Sequence, residues 1–137
     1  MITVPPEHLR PALNYIGALP TYNESVYFET LEYQPDDARP THGPRAGARC
    51  LSVMAVGEGG DFEGAVTIGL ASDDGASLAF NVSTAFFVKV LEAAKNATGA
   101  VTLEEVKING YDYLRIVVPA PDGRVTLDGD WEAIDDL

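Results

Sequence analysis

Apolar residues recur along this chain with two periods, and the order in which those periods alternate is repeated. Leu9, Ala12, Leu13, Ile16 and Leu19 fall at i, i+3, i+4, i+7 and i+10, one face of a 3.6-residue helix. This spacing predicts a helix from Glu7 to Leu19. Pro5 and Pro6 suit its start, where a missing N–H costs nothing. Pro11 removes one internal hydrogen bond, which predicts a kink or a late start. Gly17 and Pro20 mark the end. A second helix is predicted from Thr84 to Ala97, with Phe87, Val90, Leu91 and Ala94 as its apolar stripe. Ser83 or Thr84 suits its N-cap, and Asn96 to Gly99 closes it.

Elsewhere β-branched and aromatic residues cluster between turn formers, the pattern of strands. Strands are expected at Ile2 to Val4, Ser25 to Tyr33, Arg49 to Val56, Phe62 to Leu70, Leu78 to Val82, Ala100 to Ile108, Tyr111 to Pro119 and Arg124 to Asp128. Asn109-Gly110 between two such runs predicts a tight hairpin. Pro121-Asp-Gly123 predicts another turn, because Pro presets φ and Gly accepts a positive one. Gly57-Glu-Gly-Gly60 also reads as a hairpin turn; it lacks the lysine and helix of a phosphate loop. Two stretches read as loose. Residues 34–48 hold three prolines and two glycines with few apolar residues, a composition expected of a long loop. The acidic tail, residues 129–137, spaces Trp131, Ile134 and Leu137 three apart, which suits either a frayed end or one docking helical turn.

The order is therefore β-α-β-β-β, then β-α-β-β-β again. The 137 residues form one domain, with pseudo-repeats at 1–70 and 78–128. This order resembles one domain of a DNA sliding clamp of the bacterial polymerase III beta-subunit kind. The stretch Phe80-Asn-Val-Ser-Thr-Ala-Phe-Phe-Val-Lys-Val-Leu-Glu-Ala-Ala94 is similar to the clamp segment where a strand runs into a helix. Val101-Thr-Leu-Glu104, Tyr113-Leu-Arg-Ile-Val-Val118 and Asp122-Gly-Arg-Val125 resemble the strands that follow. Ile2-Thr-Val-Pro with Leu9 to Leu19 resembles a clamp domain's opening strand and helix. The resemblance implies an α+β, clamp-like fold: a duplicated βαβββ unit, two adjacent helices on one face, and antiparallel sheets. It also implies a non-enzymatic subunit that assembles into a ring, six copies restoring the family's domain count, and that tethers polymerase or other replication proteins to double-stranded DNA. In the family, the helices face DNA. Carried over, this makes Arg10, Asn14, Lys89, Lys95 and Asn96 the DNA-contact candidates.

Charge qualifies that implication. The formal net charge is −12, which repels nucleic acid on average. Glu7 and Glu92 offset the basic residues on the helix faces, and few phosphates would be neutralised per subunit, so binding is expected to be weak. A second reading follows: an acidic clamp-fold interaction module, from a phage or mobile element, that binds replication proteins or mimics DNA charge without encircling it. The basic residues that remain cluster in and beside the loose loop, at Arg39, Arg45 and Arg49, which are candidates for a loop contact with phosphate or a partner. Pairing of edge strands near Arg49 to Val56 and Arg124 to Asp128 would bring these arginines toward Asp128 and Asp130 of a second copy.

No cofactor or metal is implied. His8 and His42 lack partners at metal-ligand spacing. Cys50 sits in an apolar strand and reads as a buried structural thiol. The paired acids Asp73-Asp74 and Asp135-Asp136 read as a solvated turn and tail. Tyr15, Tyr22, Tyr27, Tyr33, Tyr111 and Tyr113 lie mostly in strands, where cross-strand packing is the default use. No apolar run reaches the about 20 residues of a membrane span. A single cysteine and the absence of a signal-like N-terminus point to the cytoplasm.

Overall fold

The computed structural model describes residues 1–19, 25–34, 41–57 and 62–130. The fold is α+β, with two helices and two five-stranded sheets. The elements in order are β1 (Ile2–Val4), α1 (Pro6–Gly17), β2 (Ser25–Glu32), β3 (Thr41–His42), β4 (Arg49–Val56), β5 (Phe62–Gly69), β6 (Ser72–Asp73), β7 (Ala79–Ser83), α2 (Thr84–Lys95), β8 (Val101–Ile108), β9 (Tyr111–Ala120) and β10 (Gly123–Asp130). Among the described residues no helix is long and apolar enough to cross a membrane.

One sheet runs β10-β9-β8-β1-β6 and the other β3-β5-β4-β2-β7. Each sheet is built around one antiparallel meander. The meander of the first half, β2-β4-β5, takes β7 from the second half onto its β2 edge. The meander of the second half, β8-β9-β10, takes β1 from the first half onto its β8 edge. Neither half can complete its sheet alone. The first sheet is antiparallel throughout, whereas β3 pairs parallel with β5 and makes the second sheet mixed. The expectation of purely antiparallel sheets is corrected on that point.

The helices form where the apolar spacing places them. α1 buries Leu9, Ala12, Leu13 and Ile16. It begins at Pro6, so Pro11 does not delay it; Pro11 lies on the exposed side. α2 buries Phe86, Phe87, Val90 and Ala94, with Ser83 Oγ accepting from the Phe86 N–H at 3.1 Å as an N-cap. Phe86 thus joins the stripe, while Leu91, expected to be buried, is only partly so. Arg10 near the start of α1 meets the end of α2, and Gly17 at the end of α1 meets Phe87 and Leu91. The helices are therefore antiparallel neighbours. A Cβ at Gly17 would lie 3.2 Å from Leu91 Cδ2, so glycine is what lets them approach.

α1 packs on β3, β4 and β5; α2 packs on β9 and β10 and also on β7 and β2. Their apolar faces and the inner faces of both sheets merge into one core containing Phe28, Phe80, Phe87, Leu51, Leu103 and Ile116. Strands β8 and β9 alternate between buried and accessible residues, the signature of a sheet covered on one face. β4 does not alternate: every residue from Cys50 to Val56 is buried, so both of its faces are covered. Cys50 is fully buried, as its apolar setting predicts, and its Sγ donates to the Leu31 carbonyl at 3.4 Å. Asn109 and Gly110 both adopt positive φ, 52° and 85°, the backbone that a two-residue hairpin requires.

Several expectations need correction. The loop of residues 34–48 contains β3, and β6 was not anticipated at all. β4 lies in the middle of its sheet and is not an edge strand. The edges are β10 and β6 in one sheet and β3 and β7 in the other. Strand β10 extends to Asp130, two residues beyond the expected end. The Gly57 to Gly60 turn falls partly, and the tail of residues 131–137 wholly, outside the described residues.

Candidate nucleic-acid interface

The residues proposed to face DNA have separate fates. Arg10 is half-buried and its guanidinium is committed: Nε donates to the Ala94 carbonyl at 3.1 Å and Nη2 to the Ala97 carbonyl at 2.5 Å. The Ala94 carbonyl belongs to the last turn of α2, where the macrodipole is negative, and it also accepts from the Ala97 N–H at 3.3 Å; the Ala97 carbonyl lies just beyond the helix. Arg10 thus caps the second helix from the first and does not project a free charge. Lys95 pairs with Glu92 at 3.0 Å on the same helix. Asn96 is the C-cap residue of α2 and is exposed. Asn14 and Lys89 are exposed, and Lys89 has no ion partner among the described residues. The helix pair therefore presents one unpaired lysine, two asparagines and an exposed Glu7.

The loop candidates converge differently. Arg39 lies outside the described residues. Arg49, at the start of β4, holds Asp73 of β6 at 3.2 Å and donates Nη2 to the Ala76 carbonyl at 2.6 Å. It ties the end of one sheet to the edge of the other. Arg45 is exposed and has no partner among the described residues. Arg45 and Arg49 line a cavity of about 420 Å³ together with His8 and Asp73. Arg45 and Arg49 are neighbours along the chain, whereas His8 comes from α1, far away in sequence. What brings them together is close packing at two glycines. Gly43, at φ +78°, lies against the His8 ring, and Gly69 lies against the Gly43 carbonyl; a Cβ at either would overlap its neighbour.

A second cavity, of about 430 Å³, lies between the β1 end and the β8–β9 hairpin. It is acidic, lined by Asp74, Glu104, Glu105 and Asp112, with Lys107 the one basic side chain. Lys107 pairs with Asp112 at 3.2 Å.

The charges expected to draw two copies together are largely used within one chain. Arg115 of β9 grips Asp128 of β10 through two hydrogen bonds, of 2.8 and 3.1 Å. That bidentate bond, with Glu104 nearby, holds the Arg115 guanidinium more firmly protonated. Asp128, on the edge strand β10, and Arg49, at the start of the central strand β4, are therefore both paired within the chain. On the far side of β2, Tyr27 donates to Glu29 Oε2 at 3.0 Å. Burial first, then the neighbouring Glu29, pushes the Tyr27 hydroxyl up to about 12.

No protein family, curated protein or solved structure matches this chain.

Proposed function

We propose that the chain is a non-enzymatic, DNA clamp-like subunit that assembles with copies of itself and tethers replication proteins at DNA. The observation that carries this reading is the reciprocal exchange of first strands. β1 joins the second half's meander and β7 joins the first half's, while the two helices lie antiparallel beside each other. That arrangement fits a pseudo-two-fold pair of βαβββ units, the organisation that the resemblance to a clamp domain implies. The eight-residue edge strand β10 supports self-assembly, because an exposed edge of that length is a template for pairing with another chain. A ring of six copies is the proposed assembly, located in the cytoplasm.

DNA contact in this reading falls to Lys89, Asn14 and Asn96, with Lys95 contributing less because Glu92 holds it. Binding is weak per subunit, independent of sequence and steeply dependent on salt. The test is fluorescence anisotropy of labelled duplex DNA over a salt series. Lys89→Ala with Lys95→Ala should flatten the slope of affinity against salt. An unchanged slope, or no binding at low salt, would contradict DNA contact through the helices.

A second reading is favoured by the capping role of Arg10. With that cation sequestered and a net charge of −12, the helix face also suits an acidic interaction module that binds basic surfaces of replication proteins. Failure of DNA binding with retention of a basic protein partner would select it.

A further inference from the structure

The cavity beside the start of α1 gathers basic groups around a recess in an otherwise acidic chain. We propose that it is an oxyanion site that takes the phosphate monoester group of a small molecule. Two stretches of chain supply the lining groups: α1 supplies His8, and the β3–β4 connection running into β4 supplies Arg45 and Arg49. Arg49 uses Nε on Asp73 and Nη2 on the Ala76 carbonyl, and its Nη1 has no partner among the described residues. The Arg45 guanidinium has no partner among the described residues. The His8 ring lines the recess, and its Nδ1 is buried against Gly43 without a hydrogen-bond partner among the described residues.

Two guanidinium groups beside an imidazole suit a tetrahedral anion better than a flat carboxylate, which one guanidinium satisfies by a bidentate bond. A carboxylate is in fact already there: Asp73 occupies Arg49 from within the chain. Phosphate offers further oxygens to the donors that Asp73 does not reach. The volume, about 420 Å³, lies within the range of small-molecule sites and leaves room for more than a bare phosphate ion. The floor is built for close approach, since Gly43 and Gly69 admit the His8 ring and the Gly43 carbonyl where any side chain would intrude. This assignment goes beyond the clamp reading and does not depend on it.

The test is a titration followed by NMR of the ring signals of His8 and the side-chain signals of Arg45. The probes are inorganic phosphate, O-phosphoserine, acetate and a short DNA duplex, at matched ionic strength. Phosphate and O-phosphoserine should shift both sets of signals saturably, with O-phosphoserine the tighter. Arg45→Gln, at an exposed position, should weaken both by about tenfold or more, the effect of losing a charge-assisted hydrogen bond. His8→Gln should weaken them while leaving the fold intact. Shifts that do not saturate, an equal response to acetate, or affinity unchanged in Arg45→Gln would overturn the assignment. A response to duplex DNA at lower concentration than to O-phosphoserine would overturn it too, by giving the cavity to the nucleic-acid backbone.

Discussion

Arg10 of the first helix donates to the Ala97 carbonyl at the end of the second at 2.5 Å, and a further bond to the Ala94 carbonyl holds it there. One side chain thereby adds hydrogen bonds to carbonyls at and just beyond the end of α2 and ties the two helices together. Arg10→Met keeps the aliphatic stem and removes both bonds. The expected loss is roughly 1.5–3 kcal/mol, the range for hydrogen bonds from a charged group. Lys89→Met, at an exposed and unpartnered position, should change stability by no more than about 0.5 kcal/mol. Urea denaturation of the two variants distinguishes a structural Arg10 from a surface one.

Phe87 is fully buried between the helices and the sheets, whereas Leu91 is only partly covered beside Gly17. Phe87→Ala should cost about 3–5 kcal/mol. Leu91→Ala should fall at or below the lower end of the ~2–5 kcal/mol seen for buried leucines. Equal losses would mean that the two side chains share the same burial.

Gly129 lets β10 pass the Phe86 ring. A Cβ there would lie 2.7 Å from Phe86 Cε2 and 2.8 Å from Cδ2, so the ring or the strand must move. Gly129→Ala should destabilise by about 1–3 kcal/mol, the usual effect of overpacking. Phe86→Leu in the same background should relieve part of the loss. Additive losses would show that no contact links the two positions.

Tyr27 supplies a pH dependence with a definite sign. Its folded pKa, about 12, lies above the ordinary value of 10.0, so the fold favours the neutral phenol. The stabilisation from that preference is complete below pH 10 and is lost as pH rises toward 12. Denaturant midpoints measured across that window should fall more steeply for the wild-type chain than for Tyr27→Phe. Parallel curves would mean that Tyr27 titrates alike in the folded and unfolded states.

Much of the architecture is legible in the sequence because two periods encode it. Leu9, Ala12, Leu13 and Ile16 mark one helix face, and Val101, Leu103, Leu114 and Ile116 mark one sheet face. Where burial departs from a single face, the pattern fails. Arg49 to Val56 loses its alternation because both sides are covered, and so a central strand passed for an edge. β3 and β6 are two residues each, too short to leave a period. Phe86 was missed because the stripe of α2 is one position wider than the spacing of Phe87, Val90 and Leu91 suggests. The candidate site was less legible still. Arg10 has the sequence context of a surface cation, yet its partners are main-chain carbonyls, which leave no trace in side-chain identity. Arg45 and Arg49 are neighbours along the chain, but His8 reaches them from α1 through close packing at Gly43, which Gly69 in turn admits.

The central claim is that the chain works as an assembled ring, and its solution mass tests that most directly. Light scattering or sedimentation at tens of micromolar protein, in low salt, with and without duplex DNA, should give six times the mass of the chain. Proline substitution at an edge position of β10, such as Thr126→Pro, should lower that mass, because proline cannot join a sheet ladder. A monomer under these conditions, with or without DNA, would contradict the ring and leave the acidic interaction module as the account of this protein.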